Sequence, residues 1–467
     1  MNKINFKGNK SFITTLGKFF SVILLLVLDL ESAYALSSLS RRDVFIQSTT
    51  AAVVSSSGVV ERALLGNDNG IHQISANAIE TPPVEVSSSP PSIDGTYLMS
   101  EYYNNAPVTA ASKGRFYFPA LTPPFRNRAT YRYELGRNSW AFEQLLTFAN
   151  VTATIKMNVV KLENGGLWVH SPQWPTGELM YLLDELGPVE HIVLPCNAFE
   201  HAAPVKEFTK KYKSASVWVA PGQYGPFGSC GRSLQEPCSL GYHIDGILGM
   251  DSKSDSESTS PPLWLDEFDY KTLYVNLPEN AGPVSEVAFF HKPTKTFVAT
   301  DAVIYIADTP SPIFSTYFED DGITLDPTFW PKTVLQSVFL PLRADETTGR
   351  YSGYDAIQGR LLRAPILRGF NDARAPGLTR KWIEDICSSW EFDRVITSHF
   401  ASPIGATPRN VKNTFSFLDE GNDSSTRKDM LPPITCEDWG LLDGLNDFIA
   451  ENKIGAPATF DYRKDCK

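Results

Sequence analysis

Apolar and polar positions in the middle of the chain alternate between the spacing of strands and the spacing of helices. Residues 153–160 alternate with a period of two, which is typical of a half-buried strand. Short runs rich in branched and aromatic side chains continue the series. The pattern therefore predicts strands at residues 153–160, 166–170, 191–195 and 217–220.

Two helices are predicted between these strands. Residues 176–186 carry leucines at helical spacing, with Thr176 as the N-cap, and Gly187 followed by a proline ends the segment. Residues 202–212 predict the second helix. Repetition of strand and helix at these lengths indicates an α/β fold with βαβ-type connections.

Polar and proline-rich segments mark the boundaries of the ordered part. Residues 79–95 form a Pro/Ser-rich linker, and residues 251–262 are a polar insertion expected to be a surface loop. These boundaries predict a domain at residues 96–417 and a C-terminal loop with a helical tail at 418–467. Residues 286–301 predict a β-hairpin within the domain, with His291 facing solvent.

Composition agrees with a globular protein and excludes one class of partner. The chain has 467 residues, of which 42% are hydrophobic and 20% charged. Its net charge is -11 and its pI is about 5.2, with no basic stripe of the kind that nucleic-acid binding requires. We therefore expect no nucleic-acid partner.

The cysteines are too scattered to be the framework of the fold. There are six, and they form neither a dense disulfide pattern nor the paired C-x-x-C spacing of zinc sites. Cys230 and Cys238 bracket a short loop, so a local disulfide between them remains open as an alternative.

The N-terminus has the composition of a targeting segment. Residues 1–35 combine a lysine-containing start, an apolar run at residues 19–28 and the small-x-small sequence Ala33-Tyr34-Ala35, as in a secretory signal peptide. Because Asp29 and Glu31 interrupt the apolar run, no stable membrane span is expected after processing. An uncleaved anchor is the alternative.

A second targeting segment follows at residues 36–78. It is rich in Ser, Thr, Ala and Val, and it contains the pair Arg41-Arg42 before a weakly apolar run, which resembles a twin-arginine signal. A signal followed by a transit segment is typical of plastids bounded by extra membranes. The sequence therefore predicts a plastid location, with the thylakoid lumen as the finer hypothesis and secretion as the alternative.

The order of elements resembles the metallo-β-lactamase superfamily, an αββα sandwich with metal ligands on loops at one edge. Its first metal motif, His-x-His-x-Asp-His, corresponds here to residues 196–201, CNAFEH. Cys196 and Ala198 stand where the two leading histidines are expected, and Glu200-His201 stands for Asp-His. Four phrases, GGLWVHSPQWPTGE, VAPGQ, SEVAFFHKPTKTFVATDAVIY and FDRVITSHF, also resemble a family of unknown function from plants, algae and cyanobacteria.

The later motifs of the superfamily are matched in part. Asp301, at the end of the hairpin, fits the bridging acid, and His399, after the apolar run FDRVIT, fits the last histidine. The middle histidine falls near Gly282 and is absent. The resemblance thus implies that one of two metal positions keeps its ligands, which are Glu200, His201, Asp301 and His399.

The resemblance implies a function with one divalent metal ion, which can be zinc, iron or manganese. It implies a mononuclear hydrolase acting on an ester, a thioester or a similar small-molecule substrate, with a metal-activated water as nucleophile. Glu200 is the candidate catalytic residue, because it can act as proton acceptor as well as ligand.

Plainer interpretations stay open for the same residues. Glu200-His201 can be a helix-start pair, with the acid favoured by the helix dipole. Asp301 and His399 can simply hydrogen-bond each other, and Cys196 can be an inert buried thiol. In that case the chain binds no metal and is a catalytically inactive binding or assembly protein with a plastid protein as its partner.

Overall fold

The computed structural model describes residues 97–98, 129–148, 151–225, 228–229, 240–249, 261–276, 283–314, 327–419, 430–452, 455–463 and 466. The predicted segments 1–35, 36–78 and 79–95 lie outside this part of the chain, as do Cys230, Cys238 and Gly282. Within the described residues, no helix has the length and apolarity that crossing a membrane requires.

Seventeen strands lie among the described residues. In chain order they are β1 (Tyr97–Leu98), β2 (Tyr131–Gly136), β3 (Ser139–Phe148), β4 (Val151–Lys161), β5 (Leu167–His170), β6 (Val189–Leu194), β7 (Ser216–Val219), β8 (Tyr224–Gly225), β9 (Gly228–Ser229), β10 (Gly246–Ile247), β11 (Phe268–Asn276), β12 (Pro283–His291), β13 (Thr296–Val298), β14 (Ile304–Tyr305), β15 (Leu361–Leu362), β16 (Arg394–Ile396) and β17 (Ile404–Gly405).

The helices among the described residues are shorter than ten residues except for three. They are α1 (Gly177–Asp184), α2 (Phe199–Ala202), α3 (Val205–Thr209), α4 (Phe329–Val338), α5 (Ser352–Ile357), α6 (Pro365–Leu367), α7 (Pro376–Ser389), α8 (Pro408–Asn413) and α9 (Gly440–Glu451).

The strands form two large sheets among the described residues. One has seven strands in the order β10-β7-β6-β5-β4-β3-β2, and the other has six in the order β1-β17-β16-β13-β12-β11. In the first sheet β5, β6 and β7 are parallel neighbours, and in the second β13 pairs with β16 in parallel. The predicted βαβ connections are therefore confirmed, because α1 links β5 to β6.

Alternation along each strand divides the buried side chains into three layers. Trp168 of the first sheet and Phe289 of the second share the central core, and their rings lie 5.1 Å apart edge to face. Val169, one residue on, packs instead with Leu182 of α1 on the outer face of the first sheet. On the outer face of the second sheet, strands β13 and β16 pack against Ile386 of α7. This helix–sheet–sheet–helix order confirms the predicted αββα sandwich.

Local expectations were met at the first helix and corrected at the second. Thr176 caps α1, since its Oγ1 accepts the backbone N–H of Leu179 at 3.2 Å. The helix predicted at residues 202–212 is wrong in its bounds: α2 ends at Ala202 and α3 begins at Val205. Pro204 between them has no N–H to continue the α2 ladder.

His291 also departs from the sequence prediction. Its ring is only 3% exposed, because it closes β12 opposite Phe268 rather than leading into solvent. Nδ1 lies 2.7 Å from Thr294 Oγ1, and Nε2 lies 3.3 Å from a carboxylate oxygen of Glu267. The turn between β12 and β13 covers the His291 ring through this contact with Thr294, which is why the side chain is buried although it lies next to a hairpin turn.

The C-terminal segment packs onto the sandwich. Leu442 and Ile449 of α9 belong to the central core, and Asn446 donates to the carbonyl of Gly369 at 3.2 Å. A disulfide joins Cys436 to Cys466. Pairing of cysteines 30 residues apart had no signal in the sequence, because it depends on how the tail folds back.

Candidate metal centre

Three loops meet at one edge of the sandwich. The CNAFEH segment follows β6 of the first sheet, while Asp301 and His399 each follow a strand of the second sheet. β13 and β16 are parallel and in register, Val298 beside Ile396. Asp301 and His399 each lie three residues beyond that pair, so the parallel register brings them to the same edge. Close packing of the two sheets then brings the β6 loop onto them.

His201 is the innermost member of the site. It lies on α2 and is fully buried. Its Nδ1 atom lies 2.5 Å from the hydroxyl of Ser171, which follows β5 in a left-handed backbone conformation with φ 57°. The hydroxyl can accept the Nδ1 proton, and it fixes the ring so that Nε2 points towards the other two loops.

His399 is fixed in the same way from the opposite side. Its Nδ1–H donates to the carbonyl oxygen of Thr154 on β4, at 2.9 Å. A carbonyl can only accept, so Nδ1 carries the proton and Nε2 of the neutral ring presents a lone pair. A backbone acceptor behind a histidine is the arrangement that orients imidazoles towards metals in proteins.

The two rings point at each other. Their Nε2 atoms lie 3.1 Å apart, and the Asp301 carboxylate lies beside both, 3.4 Å from His399 and 3.8 Å from His201. Two imidazole nitrogens bound to one tetrahedral zinc ion are separated by about 3.3 Å, given about 2.05 Å for each bond. With Nδ1 protonated on His201 as it is on His399, the two Nε2 lone pairs and the neighbouring carboxylate fit one cation.

Electrostatics keep the rings neutral. Burial, and then the neighbouring ring of His399, hold the pKa of His201 well below its usual range. Burial also lowers the pKa of His399, against the opposing charge of Glu200. Burial raises the pKa of Asp301 to about 7, with a further increase from Glu286 and a decrease from Arg363. Without a cation, burial therefore favours the neutral forms of both histidines and of Asp301, as expected where donor atoms face one another.

Glu200 lies beside the two histidines. It occupies the first turn of α2, and one of its carboxylate oxygens falls within 4.8 Å of donor atoms on both His201 and His399. Burial raises its pKa, and the charge of Asp301 adds to that effect. The structure thus brings all four predicted residues together. The helix-start position of Glu200 is also observed, so the two interpretations of this residue are compatible.

A buried acid supports the Asp301 loop. Glu286 Oε1 accepts the backbone N–H groups of Asp301 and Ala302, at 2.8 and 2.7 Å, and the Thr300 hydroxyl at 3.1 Å. Arg363 approaches from behind and donates to the Asp301 carbonyl at 3.0 Å. These contacts fix the backbone, and the Asp301 side chain is left to face the histidines.

A buried lysine supports the His399 loop. The backbone N–H of Lys156 donates to the Ser398 carbonyl at 2.8 Å, and its Nζ donates to the carbonyl of Phe400. Nζ also lies 3.1 Å from Glu143 Oε1, and both side chains are within 1% of full burial. The residues on either side of His399 are therefore tied to β4, the strand that also accepts the His399 proton.

Several participants were not predicted as site residues. Ser171, Glu286 and Lys156 lie in strands or directly after them, where sequence alone does not separate a support from an ordinary polar position. Cys196 differs from these supporting residues because its sulfur is itself a possible metal donor, within 4.8 Å of donor atoms on His201 and Asp301. Its place directly after β6, at the head of the CNAFEH segment, was the available signal. Ala198 carries no donor side chain at the start of α2.

The architecture and the site define an αββα-sandwich protein with a candidate one-metal centre where its two sheets meet. The chain belongs to the family described as domain of unknown function DUF4336, whose family model matches residues 137–328 and 341–417. No curated protein matches the sequence.

Solved structures with related folds are distant in sequence. A metallo-β-lactamase from Pontibacter korlensis is 10% identical, covers 62% of this chain and 100% of its own, and has a TM-score of 0.31. The metallo-β-lactamase FIM-1 from Pseudomonas aeruginosa, in a mono-zinc form, is 9% identical, with coverages of 62% and 94% and a TM-score of 0.29. A metal-soaked flavodiiron core from Synechocystis is 9% identical, with coverages of 62% and 60% and a TM-score of 0.34.

Proposed function

We propose that the chain binds one divalent metal ion between His201, His399 and Asp301 and hydrolyses an ester or thioester bond of a small molecule. The observation that supports this most is the 3.1 Å approach of the two Nε2 atoms. When Ser171 accepts the Nδ1 proton of His201, as the Thr154 carbonyl accepts that of His399, neither Nε2 can donate to the other. A cation between them gives both lone pairs a partner.

The surrounding residues have separate tasks in this proposal. A bound ion supplies a nucleophilic water near neutral pH by lowering the water's pKa. Ser171 and Thr154 hold the two rings, and Glu286 holds the loop of Asp301. Glu200 is close enough to accept the proton of an attacking water, or to take a ligand position itself.

Metal content of the purified full-length protein tests the first half of the proposal. We expect close to one equivalent of zinc, iron or manganese by elemental analysis. His201→Ala and His399→Ala should each lose it, because either change removes a donor. His243→Ala is the matched control, since that ring is 82% exposed and lies outside the centre.

Catalysis is tested on the metal-loaded protein with a panel of small aryl esters and acyl thioesters. Glu200→Gln should keep the ion and lose turnover if the carboxylate accepts a proton. It should lose both if the carboxylate is a ligand. A wild-type protein that is metal-free as purified, does not bind added metal, and stays equally stable without either histidine would reject the enzyme. That result would favour the second hypothesis, an inactive protein that binds a partner.

A further inference from the structure

Cys196 is a buried thiol at the centre that the one-metal ligand set does not use. It is 3% exposed, and its sulfur, a donor nitrogen of His201 and a carboxylate oxygen of Asp301 all lie within 4.8 Å of one another. Glu200 belongs to a different close group, with His201 and His399. His201 therefore belongs to two groups of donors, one with Cys196 and Asp301 and the other with Glu200 and His399.

The backbone of Cys196 is held where the two sheets meet. An isolated antiparallel bridge pairs it with Glu286 of β12, and the carbonyl of Pro195 accepts the N–H of Val287 at 2.7 Å. Gln223 donates to the Cys196 carbonyl at 3.0 Å. These contacts leave the side chain little freedom to turn away from the centre.

The sulfur also has a donor of its own. The backbone N–H of Ala198, two residues on, donates to it. A thiol accepts hydrogen bonds weakly, whereas a thiolate accepts them well. Burial and the charges of Asp301 and Glu200 nevertheless raise the pKa of the free thiol, so the thiolate, which is the form that binds metals, needs a cation beside it.

We propose that Cys196 is a thiolate ligand of the ion and completes a four-donor set with His201, Asp301 and His399. This inference rests on the proposed metal centre and narrows it: beside four protein donors, the water of the proposed hydrolysis would take a fifth position on the ion. The thiol proton passes to solvent as the sulfur–metal bond forms, and no oxidation is involved. A set of one sulfur, two nitrogens and one oxygen suits zinc and disfavours magnesium or manganese, which prefer oxygen. Glu200 then stays outside the set.

Cobalt(II) binding to the metal-stripped full-length chain tests the inference. Cobalt reports its ligands through visible d–d bands and, when thiolate is bound, through an intense sulfur-to-cobalt charge-transfer band in the near ultraviolet. We expect both in the wild type. Cys196→Ser should keep the d–d bands and lose the charge-transfer band. Cys387→Ser, which changes a free cysteine remote in sequence from the loop, should keep both.

The outcomes separate the two proposals. Absence of any d–d band in the wild type overturns the metal centre and the ligand with it. Visible bands without charge transfer, or charge transfer that persists in Cys196→Ser, overturn only the role of Cys196. Should that variant fail to fold, X-ray absorption on the zinc-loaded wild type decides the question without a substitution. We expect one sulfur at about 2.3 Å from zinc, and a shell of nitrogen and oxygen alone would refute it.

Discussion

Glu286 holds the backbone of Asp301: its Oε1 atom accepts the Asp301 N–H at 2.8 Å. The acid comes from β12, and the residue it holds comes from the loop after β13. The same oxygen accepts two further donors, on Thr300 and Ala302, so one side chain holds three donor groups of the loop that presents Asp301 to the histidines.

Removing this support should destabilise the protein and weaken metal binding together. Glu286→Ala leaves three donors without an acceptor and removes a charge 3.8 Å from the buried Arg363 guanidinium. We expect a loss of about 3 kcal/mol in unfolding free energy, measured by urea titration. Glu207→Gln, which affects only a surface pair with Lys210, should change it by less than about 0.5 kcal/mol. Equal effects of the two would contradict this role.

The buried pair of Lys156 and Glu143 should show strong coupling. Lys156→Met leaves the Glu143 carboxylate buried without its partner and should cost about 3–5 kcal/mol. Adding Glu143→Gln removes that charge while Tyr133 keeps an acceptor, so the double variant should be more stable than Lys156→Met alone. A double-mutant cycle on urea midpoints measures the coupling, and additive effects would disprove it. The single variant should also lose metal, because Nζ holds the loop at Phe400.

Acid should weaken the fold through His170. Its ring is fully buried, neither nitrogen has a hydrogen-bond partner among the described residues, and burial lowers its pKa to about 3 from 6.5. The unfolded chain takes up a proton below pH 6.5 that the folded chain refuses. Stability is therefore unaffected by this group above pH 6.5 and is lost as pH falls towards 3, by up to about 1.4 kcal/mol per pH unit.

Replacement of this ring isolates its share of the acid sensitivity. Between pH 7.5 and 5.0, the unfolding free energy of His170→Leu should fall by about 2 kcal/mol less than that of the wild type. The difference arises only over the roughly 1.5 pH units below 6.5, where the unfolded histidine takes up its proton. The exposed His243, changed to Leu, should leave the wild-type pH dependence in place. Parallel curves for wild type and His170→Leu, measured by urea unfolding at each pH, would show that the ring takes up its proton over the same pH range in the folded and unfolded states.

The Cys436–Cys466 disulfide should contribute a large part of the stability of the C-terminal segment. Closing a loop of 30 residues removes unfolded-state entropy worth about 3.6 kcal/mol in the chain-entropy treatment. Cys466→Ser, or mild reduction of the wild type, should lower the unfolding free energy by about that amount. Cys387→Ser is the matched control, because Cys387 is a free thiol. Insensitivity to reductant would mean that the bridge does not form in solution.

Localisation is a prediction of the N-terminal sequence alone. We expect a fluorescent fusion of residues 1–90 to accumulate in the plastid of an alga whose plastid lies inside extra membranes. Changing Arg41 and Arg42 to lysine should keep the fusion out of the thylakoid lumen without blocking plastid entry. Export to the medium would contradict the prediction. The disulfide agrees with an oxidising destination but does not choose among them.

The sequence was sufficient for features encoded within one strand or one loop. A period-two pattern located β4 and a short run of apolar residues located β5, and the order of motifs in the family resemblance indicated that Glu200, His201, Asp301 and His399 belong together. It was not sufficient for features that depend on how separate segments pack. Lys156 looks like an ordinary polar position of an alternating strand, yet it faces the interior because Glu143 on the neighbouring strand neutralises it.

The donors of the centre come from opposite sheets and are far apart in the chain, since His399 lies 198 positions after His201. No nascent or fragmentary form of the protein that ends before His399 therefore contains the complete centre. If the proposed ion binds, its complete donor set forms only once β16 has docked beside β13. The metal supply of the compartment in which the chain folds, rather than that of the compartment in which it is synthesised, would then determine which ion the protein carries.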